Sequence, residues 1–114
     1  MIITQTMDER KSLMREKSDA FIALPGGFGT LEEILEVITL RQLSYHHKPI
    51  VFINTNNFFN YLFKQFEVSY HEMFAKEIYR ELYFVAQTAG EALEYIENYT
   101  PVELDSKWFV VPEK

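Results

Sequence analysis

Leu24-Pro25-Gly26-Gly27-Phe28-Gly29-Thr30-Leu31-Glu32-Glu33 is the stretch that decides the fold. Immediately before it, Ala20 to Leu24 is a continuous apolar run with no polar alternation, as in a strand covered by helices on both faces; it is read as the central strand. Pro25 and the glycines end that run abruptly. From Thr30 to about Leu43, apolar residues recur with helical period at Leu31, Ile34, Leu35, Ile38, and also at Val37 and Leu40. This stripe is wider than one buried face requires, so the helix is expected to pack on the sheet and on a second surface such as another subunit.

Further out the same alternation repeats. Met7 to Lys17 reads as a helix with Met7 and Met14 two turns apart, and Ile2 to Thr4 as the end of a strand. Pro49 to Ile53 is a second strand and Leu82 to Ala86 a third. Between them Phe58 to about Tyr70 is an aromatic-rich helix. Ala89 to Asn98 is a last helix with Ala92, Leu93 and Ile96 inward, followed by an extended tail from Pro101. Strand-length runs alternating with helical segments specify an α/β class, a parallel sheet with flanking helices, here as one domain over residues 1–114.

The glycine turn is where chemistry is expected. Gly26, Gly27 and Gly29 permit positive φ angles and a close approach of backbone to ligand, and the open N–H groups of the helix that follows point into the same space. Such a place binds anions, phosphate above all, and the Thr30 hydroxyl adds a donor. It lies at the carboxyl ends of the strands, where open α/β sheets bind ligands. Neither G-x-x-x-x-G-K-[ST] nor G-x-G-x-x-G is present. The structural alternative is that Thr30 is an N-cap and Glu33 the far member of a capping box, in a turn that merely connects strand to helix.

Two ordered motifs tip the balance toward a site. Residues Pro25 to Glu33 complete the pattern P-G-G-x-G-T-x-x-E, and Met7-Asp8-Glu9-Arg10-Lys11 supplies M-x-x-R-K a short distance upstream. Together with Ser18 to Leu24 and the Lys48-Pro49-Ile50 strand start, they resemble the Lonely Guy (LOG) family. Asp8 stands where that family often has histidine. The resemblance implies a Rossmann-like fold, a homodimer or larger assembly, and hydrolysis of the N-glycosidic bond of adenosine-type or cytokinin riboside 5′-monophosphates. It also implies that Arg10 and Glu33 are the catalytic pair, that Gly26, Gly27, Gly29 and Thr30 hold phosphate, and that Lys11 lies near the nucleotide, with no metal or cofactor. The family's domain carries an earlier strand and a glycine-rich loop upstream. Met1 to Gln5 read as the end of an internal strand, so the chain is expected to be a portion of that domain with an uncovered sheet edge.

These residue types suit the reaction. Breaking a base–ribose bond builds positive charge on the sugar, which a fixed carboxylate stabilises, and Glu33 is the candidate. A guanidinium such as Arg10 aligns the nucleotide or takes up density on the departing base. The rival from another class is a nucleotide-binding or interaction module that grips phosphate without turnover, distinguished by binding of AMP without release of base. Members of the family are also labelled lysine decarboxylases. No lysine here sits in a context suggesting a Schiff base with pyridoxal phosphate.

Composition narrows the partners. A net charge of −6 argues against nucleic acid polymers and anionic membranes, though one mononucleotide site can override it. With no cysteine, disulfides, thiolate nucleophiles and cysteine metal sites are excluded, and a reducing cytoplasm fits. No apolar run is long enough to span a bilayer. His46-His47 ahead of Lys48-Pro49 are read as solvent-facing rather than metal-binding. His71-Glu72-Met73-Phe74-Ala75 has alanine where the second ligand of H-E-x-x-H must stand. Phe58, Phe59, Tyr61, Leu62, Phe63 and Phe66 follow helical spacing and are read as packing rather than a base-stacking platform.

Overall fold

A computed structural model describes residues 7–101. Four helices alternate with three strands: α1 (Met7–Lys17), β1 (Phe21–Ala23), α2 (Phe28–Gln42), β2 (Ile50–Ile53), α3 (Asn60–His71), β3 (Phe84–Ala86) and α4 (Ala89–Glu97). The strands form one parallel sheet in the order β1-β2-β3, with Phe21 opposite Ile50, Ile22 opposite Val51, and Val51 opposite Phe84. This is the α/β arrangement that the alternation predicts, consistent with the Rossmann-like fold that the resemblance implies. The expectations for residues 1–6 and for the tail beyond Pro101 fall outside the described residues.

Burial corrects the order of importance of the strands. Among the described residues the central strand is β2, whose four residues Ile50, Val51, Phe52 and Ile53 are all buried, rather than β1. Among the described residues β1 pairs on one side only, and Ile22 is exposed while Ala23 is buried. A continuous apolar run cannot by itself reveal whether both neighbours are present.

Each face of β2 builds its own core. On one side Phe52 meets Phe59, Phe63 and Tyr83 edge to face at ring separations of 5.1–5.7 Å, and Ile34 and Val37 of α2 close the cluster with Ala23 and Ile50. The other side packs Val51, Ile53, Ala86 and Ala92, with Phe84 stacked on Tyr95 at 4.3 Å. Phe59, Phe63 and Phe66 thus act as packing residues, while Phe58 and Tyr61 are exposed. In α4 the inward residues are Ala92, Tyr95 and Ile96; Leu93 turns out to solvent. Met14 is likewise exposed.

Helix ends carry the other departures. A 3-10 segment, Glu77–Leu82, occupies the expected start of the third strand and buries Tyr79 and Leu82. Both α2 and α3 end in left-handed residues that are not glycine, Ser44 (φ 65°) and Met73 (φ 65°). The bonds Ser44 N to Arg41 O and Tyr45 N to Leu40 O, and Met73 N to Tyr70 O with Phe74 N to Ser69 O, make each a Schellman ending. The loop after β2 is fixed by buried Asn54, whose Oδ1 accepts from Phe59 N at 2.7 Å while Nδ2 donates to Asn60 at 2.8 Å.

Candidate functional site

The turn after β1 opens the site. Helix α2 starts at Phe28, two residues before the expected Thr30, with Gly27 as its N-cap and no side chain capping it. Its first intrahelical bond is Leu31 N to Gly27 O at 3.2 Å, so the N–H groups of Phe28, Gly29 and Thr30 precede the ladder and face outward from the helix end. No capping box joins Thr30 to Glu33; Thr30 is the third residue of the helix and Glu33 lies on its second turn. A T-x-x-E cap does form elsewhere, at Thr88 and Glu91 of α4, where Glu91 N donates to Thr88 Oγ1 at 3.2 Å.

No glycine in the turn has positive φ, contrary to the expectation from composition. Gly26 is demanded by a different constraint: a Cβ built there would stand 2.3 Å from Thr30 Oγ1. Around Gly27 and Gly29 a Cβ would meet nothing within 4 Å, which leaves their backbone open to the surroundings.

Helix α1 supplies the opposite wall. Arg10, Lys11, Gly29, Thr30 and Glu33 all line one cavity of about 670 Å³, completed by apolar residues that include Met14, Ile22, Leu24 and Ile34. Five of the seven residues singled out in the sequence therefore converge from two helices, while Gly26 and Gly27 lie outside the lining. Lys11 Nζ sits 2.6 Å from Glu32 Oε1 and 3.3 Å from Glu33 Oε1, bridging both acids. These hydrogen bonds push the Lys11 ammonium up to about 12, and Lys11 in turn holds the Glu32 carboxyl below its usual range. One turn along, Arg15 Nη1 meets Glu36 Oε1 at 2.8 Å.

Glu32, Met14 and Arg15 were not anticipated at the site. For the α1 residues a signal existed, since Met14, Arg15 and Ser18 follow Lys11 at three, four and seven positions and so share its face. His46 also differs from expectation: it is half-buried, its Nε2 on Val37 O at 2.8 Å and its ring edge to face with Phe21, whereas His47 is exposed. Burial pushes the His46 imidazole down, against the Val37 hydrogen bond and with Arg41, Lys48 and His47 adding to the depression. Among the described residues no group of His, Asp and Glu is arranged to hold a metal ion, and no helix is long and apolar enough to cross a membrane.

Known proteins resemble this chain in sequence. Residues 1–96 match the family model described as possible lysine decarboxylase. The chain is 44% identical over 101 residues to the probable cytokinin riboside 5′-monophosphate phosphoribohydrolase LOGL5 of Oryza sativa subsp. japonica, covering 89% of the chain and 41% of that protein. Against the cytokinin riboside 5′-monophosphate phosphoribohydrolases LOG5 and LOG3 of Arabidopsis thaliana it is 40% identical over 114 residues and 45% over 95, covering 96% and 83% of the chain. It spans half or less of the length of these relatives, 41–50%. The chain therefore belongs to the family described as possible lysine decarboxylase, and its relatives include the LOG proteins.

Proposed function

We propose that the protein hydrolyses the N-glycosidic bond of nucleoside 5′-monophosphates, AMP or a cytokinin riboside monophosphate, giving free base and ribose 5-phosphate. The observation that carries this reading is the convergence of Arg10 and Lys11 of α1 with Gly29, Thr30 and Glu33 of α2 on one cavity. The names of the relatives point to the same reaction.

In this reading the phosphate takes the outward N–H groups at the start of α2 and the Thr30 hydroxyl, with the positive end of the helix dipole behind them. Held there, remote from the bond that breaks, it supplies positioning. Glu33 lies one turn further along α2, facing the ribose. As the bond from C1′ to the base nitrogen lengthens, its electron pair leaves with the base and positive charge grows on the sugar ring, opposite the Glu33 carboxylate. Water adds at C1′ and releases a proton, and the base gains one, so the reaction balances as nucleotide plus water. Arg10 stabilises the departing base or aligns the nucleotide. Lys11 shares its ammonium between Glu32 and Glu33 and so fixes the carboxylate while remaining near the phosphate.

The protein acts in this reading as a homodimer or higher assembly, in the cytoplasm. Product analysis after incubation with AMP and with N6-isopentenyladenosine monophosphate tests the activity. Release of base and ribose 5-phosphate, lost in Glu33→Gln and Arg10→Ala, is the expected result. Binding of AMP without either product would replace the enzyme by a nucleotide-binding module.

A further inference from the structure

The catalytic helix of the proposed site is held in an unusual way. Of the α1 residues Met7–Lys17, most are polar, and Met14 is exposed. Ion pairs link α1 to α2: Lys11 with Glu32 and Glu33, Arg15 with Glu36. Such pairs between partly exposed groups fix a position weakly.

At the carboxyl end of α1 there is a further constraint, supplied from a distant part of the chain. Lys48 Nζ donates to Arg15 O at 2.7 Å and to Glu16 O at 3.1 Å. Both carbonyls belong to the last turn, where a helix leaves acceptors unfilled and where a cation complements the dipole. Lys48 is itself held on three sides. Its backbone N–H donates to His46 Nδ1 at 3.1 Å, its ammonium lies 5.9 Å from the centre of the Phe21 ring, and the next residue, Pro49, accepts Phe21 N at 3.0 Å. Because His46 Nδ1 accepts, its Nε2 carries the proton and donates to Val37 O at 2.8 Å in α2. One residue thus ties the end of α1 to the first residue of β1, to the entry of β2 and, through His46, to α2.

We infer that Lys48 is a positioning residue: its ammonium on the Arg15 and Glu16 carbonyls sets where Arg10 and Lys11 stand over the cavity. It is not among the residues lining that cavity, so it acts through α1. The leverage is geometric. Sliding α1 by one residue moves Arg10 by about 1.5 Å, and a misplacement of about 1 Å at a reacting centre costs on the order of a hundredfold in rate.

This inference rests on the proposed activity for its kinetic readout, and amide exchange provides a second readout that does not. With AMP as substrate, Lys48→Met is expected to lower kcat by about tenfold or more with KM within about twofold, since the phosphate is gripped by α2. Lys48→Arg, whose forked donors can span both carbonyls, is expected to restore kcat to within about threefold of the parent. In Lys48→Met, amide exchange across α1 quickens by about tenfold or more while β2 and β3 keep their protection. An unchanged kcat in Lys48→Met, a loss carried by KM alone, or Lys48→Arg no better than Lys48→Met overturns the inference. A parent protein that releases no base refutes the proposed activity only; unchanged α1 exchange in Lys48→Met then overturns the positioning role on its own.

Discussion

Replacing Gly26 by alanine should destabilise the fold even though its φ is not positive. The added Cβ would stand 2.3 Å from Thr30 Oγ1 and 3.2 Å from Thr30 Cβ. Ordinary carbon contacts lie near about 3.5–4.0 Å, so more than 1 Å of overlap with the hydroxyl must be relieved. Thr30 is β-branched and sits in the first turn of α2, so its rotation is restricted and the relief must come from shifting the helix start or the turn. Overpacking of this kind costs about 1–3 kcal/mol, and the reduced freedom of the unfolded chain offsets about 0.4–1 kcal/mol of it. A net loss of about 1 kcal/mol, and at most about 2.6, is expected, which for a domain of this size lowers Tm by roughly 4–8 °C per kcal/mol. Urea titration should show a lower midpoint with an unchanged slope. In a Thr30→Ala background, where the oxygen at 2.3 Å is gone and only the 3.2 Å contact with Cβ remains, Gly26→Ala should cost less than in the parent, a coupling that a double-mutant cycle isolates. Gly29→Ala should go the other way, stabilising by about 0.5–1 kcal/mol, because that position is helical and open. Equal stability of Gly26→Ala and the parent, or a penalty undiminished by removal of Thr30 Oγ1, would refute the reasoning.

Other positions give independent checks. Met73→Gly relieves a left-handed, fully displayed methionine at the end of α3 and should raise stability by about 1 kcal/mol, read as a higher urea midpoint. Asn54→Ala leaves the buried Phe59 N–H without its acceptor and should cost about 1–3 kcal/mol; a neutral result would mean that the loop re-pairs. His46 is held neutral in the fold with its pKa below 6.5, so the unfolded chain takes up the proton first and stability should fall as pH drops below 6.5 toward the folded value, a slope that His46→Gln flattens. Lys11, raised to about 12, contributes pairing that is complete below its unfolded pKa of about 10.4 and is lost as pH rises through 12. Glu32, lowered, contributes above 4.5 and is lost as pH falls through its folded value; side-chain NMR titration of the parent and of Lys11→Met reads both.

Local pattern carried the elements whose signals are local. The bounds of α1, the apolar body of each strand and the core positions Ile34 and Val37 follow from period alone, and the convergence of Arg10, Lys11, Gly29, Thr30 and Glu33 follows from two motifs flanking one strand. What escaped depended on partners far away in sequence. Whether β1 is central depends on a neighbour that its own residues cannot specify. Thr30-Leu31-Glu32-Glu33 and Thr88-Ala89-Gly90-Glu91 are both T-x-x-E, yet only the second caps a helix, because Gly27 already turns the chain into α2. Ser44 and Met73 end their helices without the glycine that would have announced it. His46 and Lys48 looked like a polar connection, and their roles arise from carbonyls 9 and 33 residues away.

The sealed strand β2 has a consequence for the chain when it is not folded. Ile50-Val51-Phe52-Ile53 is uncharged and β-branched or aromatic throughout, the composition that self-associates into intermolecular sheets when released. Lys48 and Pro49 stand directly before it, a charge and a residue unable to extend a hydrogen-bonded ladder, and so serve as gatekeepers on one flank. The other flank has only Asn54, so heat or denaturant that frees this segment from its two cores exposes an adhesive surface, and recovery on cooling should worsen with protein concentration.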